Sequence, residues 1–143
     1  MNDNTILSLR YTVVPNDFSR AGEASSDVKN TLKQLGVSPD IIRKVSIALY
    51  EGEINMVIHA NGGTIDIKVT PTQIIMVLTD SGPGITDIEK AMEAGYSTAS
   101  ESARALGFGA GMGLPNIKKY SDQMKIDTTI GIGTTLTIFV NLA

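Results

Sequence analysis

The chain has 143 residues, of which 42% are hydrophobic and 19% are charged, with a net charge of −3 at pH 7 and no cysteine. This composition indicates one folded domain over residues 1–143 and excludes extended disorder, disulfides and thiolate metal sites. An acidic chain without a long apolar run gives no support for nucleic-acid binding or membrane insertion, and we expect a cytoplasmic protein.

The beginning of the chain predicts a strand followed by a helix. Residues 6–14 alternate between apolar and polar side chains, which is typical of a half-buried strand. Asn16 or Asp17 is a suitable N-cap for a helix that runs to about residue 35. Gly36 then stands where a left-handed C-terminal cap is expected.

A second predicted helix, from about residue 40 to 60, carries a candidate catalytic pair. Its buried face is formed by Val45, Ala48, Leu49, Gly52 and Met56. Glu51 and Asn55 are four residues apart and lie on one side of the helix, at the border of that face. A carboxylate there suits a general base, and an amide oxygen is a hard ligand suited to Mg²⁺. Two solvated polar residues would give the same pattern, and Glu53, on another face, is expected to be solvated.

Two strands, at about residues 64–70 and 73–79, are predicted to pair through a tight turn, and the second leads into Asp80. A carboxylate at the end of an apolar strand suits the exocyclic amine of adenine. Gly82 and Gly84 follow at once, and glycine allows backbone to approach a ligand closely. The alternative is an ordinary turn of sequence Asp-Ser-Gly-Pro-Gly.

A short helix at about residues 86–93 is expected to precede a long segment, 94–113, that is rich in glycine, serine and alanine. Loops of this length in a small domain are usually functional or disordered. The segment ends in four alternating glycines, namely Gly107, Gly109, Gly111 and Gly113. A helix predicted at about 114–121 follows them, and backbone N–H groups at a helix N-terminus form an anion site. The glycines fit neither the dinucleotide pattern nor the P-loop pattern, and a flexible loop is the alternative.

The chain ends in two predicted strands, at about residues 123–129 and 134–140, joined by a turn that contains Gly131 and Gly133. A hairpin turn requires no further function, although Thr134 or Thr135 could offer a hydroxyl to a bound base or a water.

The order of these elements favours an α+β fold. Strands that follow one another on short connections pair antiparallel, whereas a doubly wound parallel sheet needs a helix between nearly every pair of strands. We therefore expect a single-domain, two-layer sandwich with a mixed, mostly antiparallel sheet and helices on one face.

Taken in this order, the glycine-bearing segments and the acidic helix resemble the motifs of the GHKL superfamily of ATP-binding domains. Glu51-x-x-x-Asn55 is similar to the N box, Asp80-x-Gly82-x-Gly84 to the first glycine box, Gly109-x-Gly111-x-Gly113 to the second, and Gly131-x-Gly133-Thr134-Thr135 to the glycine-threonine end. Within the superfamily, a domain of this size resembles the bacterial anti-sigma-factor serine kinases and the related stressosome switch kinase.

The resemblance implies a kinase that transfers the γ-phosphate of Mg-ATP to a serine of a STAS-type regulatory protein. Glu51 would be the general base, Asn55 would ligate Mg²⁺, and Asp80 would bind the adenine amine. The glycines of both boxes and Thr134 or Thr135 would complete the nucleotide contacts, and residues 94–113 would form a lid over the phosphates.

One departure from the family pattern concerns the cation at the γ-phosphate. Many relatives have Ser-Thr-Lys in the lid, whereas this chain has Ser97-Thr98-Ala99. Arg104 is the candidate replacement, with Lys118 behind it. The missing lysine slightly favours a second interpretation, a nucleotide-gated module that sequesters a sigma factor or another activator. The implied partners are thus a STAS-domain protein and a sigma factor or a downstream phosphatase.

Overall fold

The computed structural model describes residues 5–14, 20–59, 62–81 and 113–142. In these ranges the chain forms β1 (Leu7–Val13), α1 (Glu23–Gln34), α2 (Pro39–His59), β2 (Gly63–Val69), β3 (Gln73–Asp80), α3 (Gly113–Tyr120), β4 (Gln123–Thr129) and β5 (Gly133–Asn141). This order agrees with the sequence prediction. The helix predicted at 86–93 lies outside the described residues, and so does nearly all of the predicted lid.

The five strands form one sheet in the order β1-β2-β3-β5-β4, and each neighbouring pair in it is antiparallel. The β2–β3 connection is a tight turn in which the Thr70 hydroxyl accepts the backbone N–H of Gln73 at 3.1 Å. The β4–β5 connection closes through the N–H of Ile132, which donates to the Thr129 carbonyl at 3.0 Å. The α+β prediction is confirmed, and the described pairs contain no parallel neighbour.

One face of the sheet packs against the helices and forms the hydrophobic core. The largest fully buried side chains are Val28, Leu32, Val45, Leu49, Ile65, Ile67, Ile74, Met76, Ile117, Ile138 and Val140. The predicted buried face of α2 is confirmed, since Val45, Ala48 and Leu49 are 0% exposed. Each aliphatic side chain buried in this way contributes about 1.5–3 kcal/mol. Within the described ranges, none of the helices is both long and apolar enough to cross a bilayer.

Helix α1 begins later than the sequence predicts. The predicted caps, Asn16 and Asp17, lie outside the described residues, but the residue that caps the helix is Gly22, with φ of 95°. This left-handed conformation does not belong inside a right-handed helix, so the first helical residue is Glu23. The other end is as predicted. Gly36 has φ of 78°, and the N–H of Val37 closes the last turn on the Leu32 carbonyl.

Candidate functional site

The inner face of the sheet changes from apolar to polar where β3 ends and β5 begins. Ile65, Leu78, Leu136 and Ile126 stand side by side across β2, β3, β5 and β4, and the next inward row is Gly63, Asp80, Thr134 and Thr128. Side chains two residues apart on a strand face the same side, so this polar row faces the helical layer. The sheet therefore presents a carboxylate and two hydroxyls at the end of its apolar core.

Hydrogen bonds connect the members of the polar row. The backbone N–H of Thr134 donates to Asp80 Oδ1 at 3.2 Å, and the hydroxyls of Thr134 and Thr128 are 2.9 Å apart. Thr135 pairs with Thr79 and so faces the other side of the sheet. Of the two threonines that the sequence left open, the structure brings Thr134 to Asp80. Sequence reasoning missed Thr128. The sequence feature that could have indicated it is its position opposite Thr134 in the predicted β4–β5 hairpin.

Helix α2 approaches the polar row through Gly63. A Cβ added to Gly63 would lie 2.7 Å from Met56 Cε, 3.0 Å from Asp80 Cα and 2.1 Å from the Thr79 carbonyl oxygen. Only glycine leaves room for such an approach. Asn55 directly precedes Met56, and it is half-buried. The candidate metal ligand thus belongs to the turn of α2 that packs at the end of the sheet where Asp80 lies.

Glu51 and Glu53 lie on opposite flanks of α2. Gly52, between them, faces the sheet, and a Cβ added there would lie 2.5 Å from Leu78 Cδ2. Since successive helical residues are rotated by about 100°, the residues before and after Gly52 point to the two sides. Glu51 is half-buried and faces α3, where Asn116 Nδ2 lies 3.4 Å from its Oε1. Sequence reasoning did not single out Asn116.

Glu53 corrects a sequence prediction, because it is 4% exposed rather than solvated. Its two carboxylate oxygens accept the backbone N–H groups of Ala24 and Ser25, both at 3.1 Å. These donors belong to the first turn of α1, where Gly22 makes no side-chain cap. The periodicity of α2 placed Glu53 outside the apolar face correctly, but it could not show that another helix begins there.

The two carboxylates also act on the tyrosine before them. Burial raises the pKa of Tyr50 above its usual value, and the negative charges of Glu51 and Glu53 raise it further. This stretch of α2 is therefore electronegative, and a polyphosphate placed near it requires a cation between the two.

Of the remaining predicted site residues, the structure describes Gly113 and Lys118. Gly113 is the first residue of α3, and Lys118 is exposed in its last turn. The residues that lie outside the described ranges are Gly82, Gly84, Ser97, Thr98, Ala99, Arg104, Gly107, Gly109 and Gly111.

Asn55 is the described residue whose fit to Mg²⁺ can be judged from its chemistry. Among the described residues, no group of three or more His, Asp or Glu side chains could hold an ion. Mg²⁺ usually keeps several waters and binds substrate phosphates with one or two protein oxygens. The single amide oxygen of half-buried Asn55 fits that requirement.

The sequence is similar to a known domain family and to individual proteins of known name. Residues 14–139 match the histidine kinase-like ATPase domain family. The chain is 31% identical to the serine/threonine-protein kinase RsbT of Bacillus subtilis over 110 residues, which cover 74% of this chain and 77% of that protein. It is 33% identical to an anti-sigma F factor of Thermoanaerobacter sp. (strain X514) over 106 residues, which cover 71% of each.

Solved structures share the architecture at low sequence identity. One is the SiaB–SiaC complex from Pseudomonas aeruginosa, with a TM-score of 0.61 and 14% identity over 96% of this chain and 90% of that chain. Another holds the RsbU and RsbW domains of a Mycobacterium tuberculosis protein, with a TM-score of 0.64, 15% identity and coverage of 95% of this chain but 32% of that one. These likenesses show the fold alone. The match of residues 14–139 to the family model establishes that the chain belongs to the histidine kinase-like ATPase domain family, which implies ATP binding.

Proposed function

We propose that the chain is a serine-protein kinase that transfers the γ-phosphate of Mg-ATP to a serine of a small STAS-type regulatory protein. The observation that carries the proposal is Glu51, a half-buried carboxylate one helical turn from Asn55, at the junction of α2 and α3. Support also comes from the similarity to a protein named as a serine/threonine-protein kinase.

The adenine ring of ATP binds at the polar row. Asp80 accepts a hydrogen bond from the exocyclic amine of adenine, and the N–H of Thr134 on Asp80 Oδ1 holds the plane of the carboxylate. The Thr134 hydroxyl, held by Thr128, is available to the base or to a bridging water. A carboxylate that is positioned before the ligand arrives loses less entropy when it binds.

Glu51 is assigned the proton transfer. It takes the proton of the acceptor serine while the seryl oxygen bonds to the γ-phosphorus and the bond to the bridging oxygen of ADP breaks. Asn55 would supply an oxygen ligand to Mg²⁺, and the bound ion would neutralise phosphate charge beside the electronegative stretch of α2. Arg104, with Lys118 behind it, is assigned to the γ-phosphate, and residues 94–113 are assigned as the lid.

The proposal is tested with γ-labelled ATP and Mg²⁺ in a desalted extract of the source organism. We expect the wild-type chain to produce a small, acid-stable labelled band, and Glu51→Gln to reduce labelling by roughly 10²–10⁴-fold while ATP binding persists. Glu23→Gln is the matched control, because it makes the same change at an exposed glutamate on α1. Equal labelling by wild type and Glu51→Gln would remove the general base from the mechanism.

A second candidate function is a nucleotide-gated module that sequesters a sigma factor or another activator. Several relatives named anti-sigma F factors favour it. This function uses the same pocket but does not require Glu51 as a base. A chain that binds ATP and retains a partner, yet labels no band and is indifferent to Glu51→Gln, would be such a module.

A further inference from the structure

We infer that Asn116 is a positioning residue for Glu51: its side-chain amide holds the carboxylate in the orientation that proton abstraction from a serine requires. The inference rests on the proposed function, because it assigns a second residue to the same chemical step.

The contact joins two helices at a half-buried position. Asn116 Nδ2 lies 3.4 Å from Glu51 Oε1, and both side chains are partly shielded from water. A primary amide donates hydrogen bonds without titrating, so it holds a carboxylate without competing for a proton. The distance is longer than the usual range of about 2.7–3.2 Å for an N–H···O bond, and catalytic hydrogen bonds commonly shorten when substrate binds.

The packing of α3 explains why Asn116 reaches this position. Ile117, the next residue, is 0% exposed, and its Cδ1 would lie 3.9 Å from a Cβ at Gly52. Because Gly52 has no side chain, Ile117 and Leu78 fill the space beside it. With Ile117 held in the core, Asn116 is placed beside Glu51.

In a purely structural interpretation, the contact between Asn116 and Glu51 only links α3 to α2 and has no effect on catalysis. The two interpretations differ in what they predict for phosphoryl transfer, because only a positioning role lowers the maximal rate of transfer while the fold stays intact. Both require that the two side chains are in contact, and a second carboxylate in place of the amide then raises the pH at which Glu51 ionises, since like charges at this separation disfavour ionisation. A structural link alone would affect the free energy of unfolding.

The first experiment follows the side-chain carboxyl carbon of Glu51 by NMR as a function of pH, with the signal assigned by its loss in Glu51→Gln. We expect Asn116→Asp to move the midpoint upward by about one pH unit, as a coupled pair. Asn30→Asp is the matched control, since it makes the same change at an exposed residue of α1. An unchanged midpoint in Asn116→Asp overturns the inference, whether or not the chain phosphorylates anything.

The second experiment measures the initial rate of band labelling in the desalted extract over a range of ATP concentrations. Asn116→Ala is expected to lower the maximal rate about tenfold and to leave the KM for ATP unchanged, since it acts on the carboxylate and not on the nucleotide. A maximal rate equal to that of the wild type overturns the positioning role. Absence of any wild-type band contradicts the proposed function instead, and the positioning role with it, whereas the NMR titration still decides whether Asn116 and Glu51 are in contact.

Discussion

Asp80 occupies a position where several local constraints meet. It lies between Gly63 of β2 and Thr134 of β5, and its carboxylate accepts the N–H of Thr134. It also continues the inward-facing series of β3, so it is presented to the helical layer and not to the open face of the sheet. A half-buried carboxylate held in this way is a strong acceptor for an N–H donor of a ligand.

Asp80→Asn should therefore weaken ATP binding by about tenfold or more, because the amide has no charge and one fewer acceptor oxygen. Isothermal titration calorimetry with Mg-ATP measures the change. Asp66→Asn is the matched control, since Asp66 forms an exposed ion pair with Arg10 away from the polar row. An unchanged affinity for Asp80→Asn would defeat the adenine role.

At the scale of elements, α1 and α2 depend on each other through Glu53. The first-turn N–H groups of a helix have no partner within the helix. Gly22 supplies no side chain to satisfy them, and the carboxylate of Glu53 accepts two of them instead. A negative group is also favoured at the positive end of the helix dipole. The contact joins the start of one helix to the middle of another.

We expect Glu53→Gln to destabilise the fold by about 1–3 kcal/mol, because the amide offers one acceptor and turns a donor toward buried N–H groups. Urea unfolding should show a lower midpoint at an unchanged slope. The control, Asp127→Asn, also replaces a carboxylate by an amide, at an exposed residue of β4 away from the start of α1, and should change the free energy of unfolding by less than about 0.5 kcal/mol. If the two midpoints were the same, the capping role would be excluded.

At the scale of the whole molecule, the sheet and the helical layer are joined at one edge by Tyr11 and Asp27. The hydroxyl of Tyr11, on β1, donates to the Asp27 carboxylate, on α1. Burial raises the pKa of Tyr11 well above its ordinary value, and the hydrogen bond and charge of Asp27 raise it further. The folded state thus favours the neutral phenol more than the unfolded chain does.

This difference predicts a loss of stability at alkaline pH. The contribution of Tyr11 is complete below its unfolded pKa of about 10 and is lost as the pH rises above that value, because the unfolded chain then releases a proton that the folded chain keeps. Urea midpoints measured from pH 8 to pH 11 should fall in the wild type and fall less in Tyr11→Phe. Asp27→Asn should give an intermediate decline. A decline in Tyr11→Phe as steep as in the wild type would contradict the assignment.

The sequence by itself determined the order of the described elements and the buried face of α2. These features depend on local properties, namely a period of two or 3.6 residues and the turn preferences of glycine and proline. The candidate roles of Glu51, Asn55 and Asp80 also came from local motifs and their order.

Only the tertiary structure decided which neighbours those residues have. It placed Thr134, and not Thr135, beside Asp80, and it buried Glu53 against the start of α1. It also brought Asn116 to Glu51 across 65 positions of sequence. Strand register and helix packing create these contacts between residues far apart in the chain. Local periodicity gives the direction of a side chain relative to its own helix or strand, but the partner in that direction depends on how the layers pack.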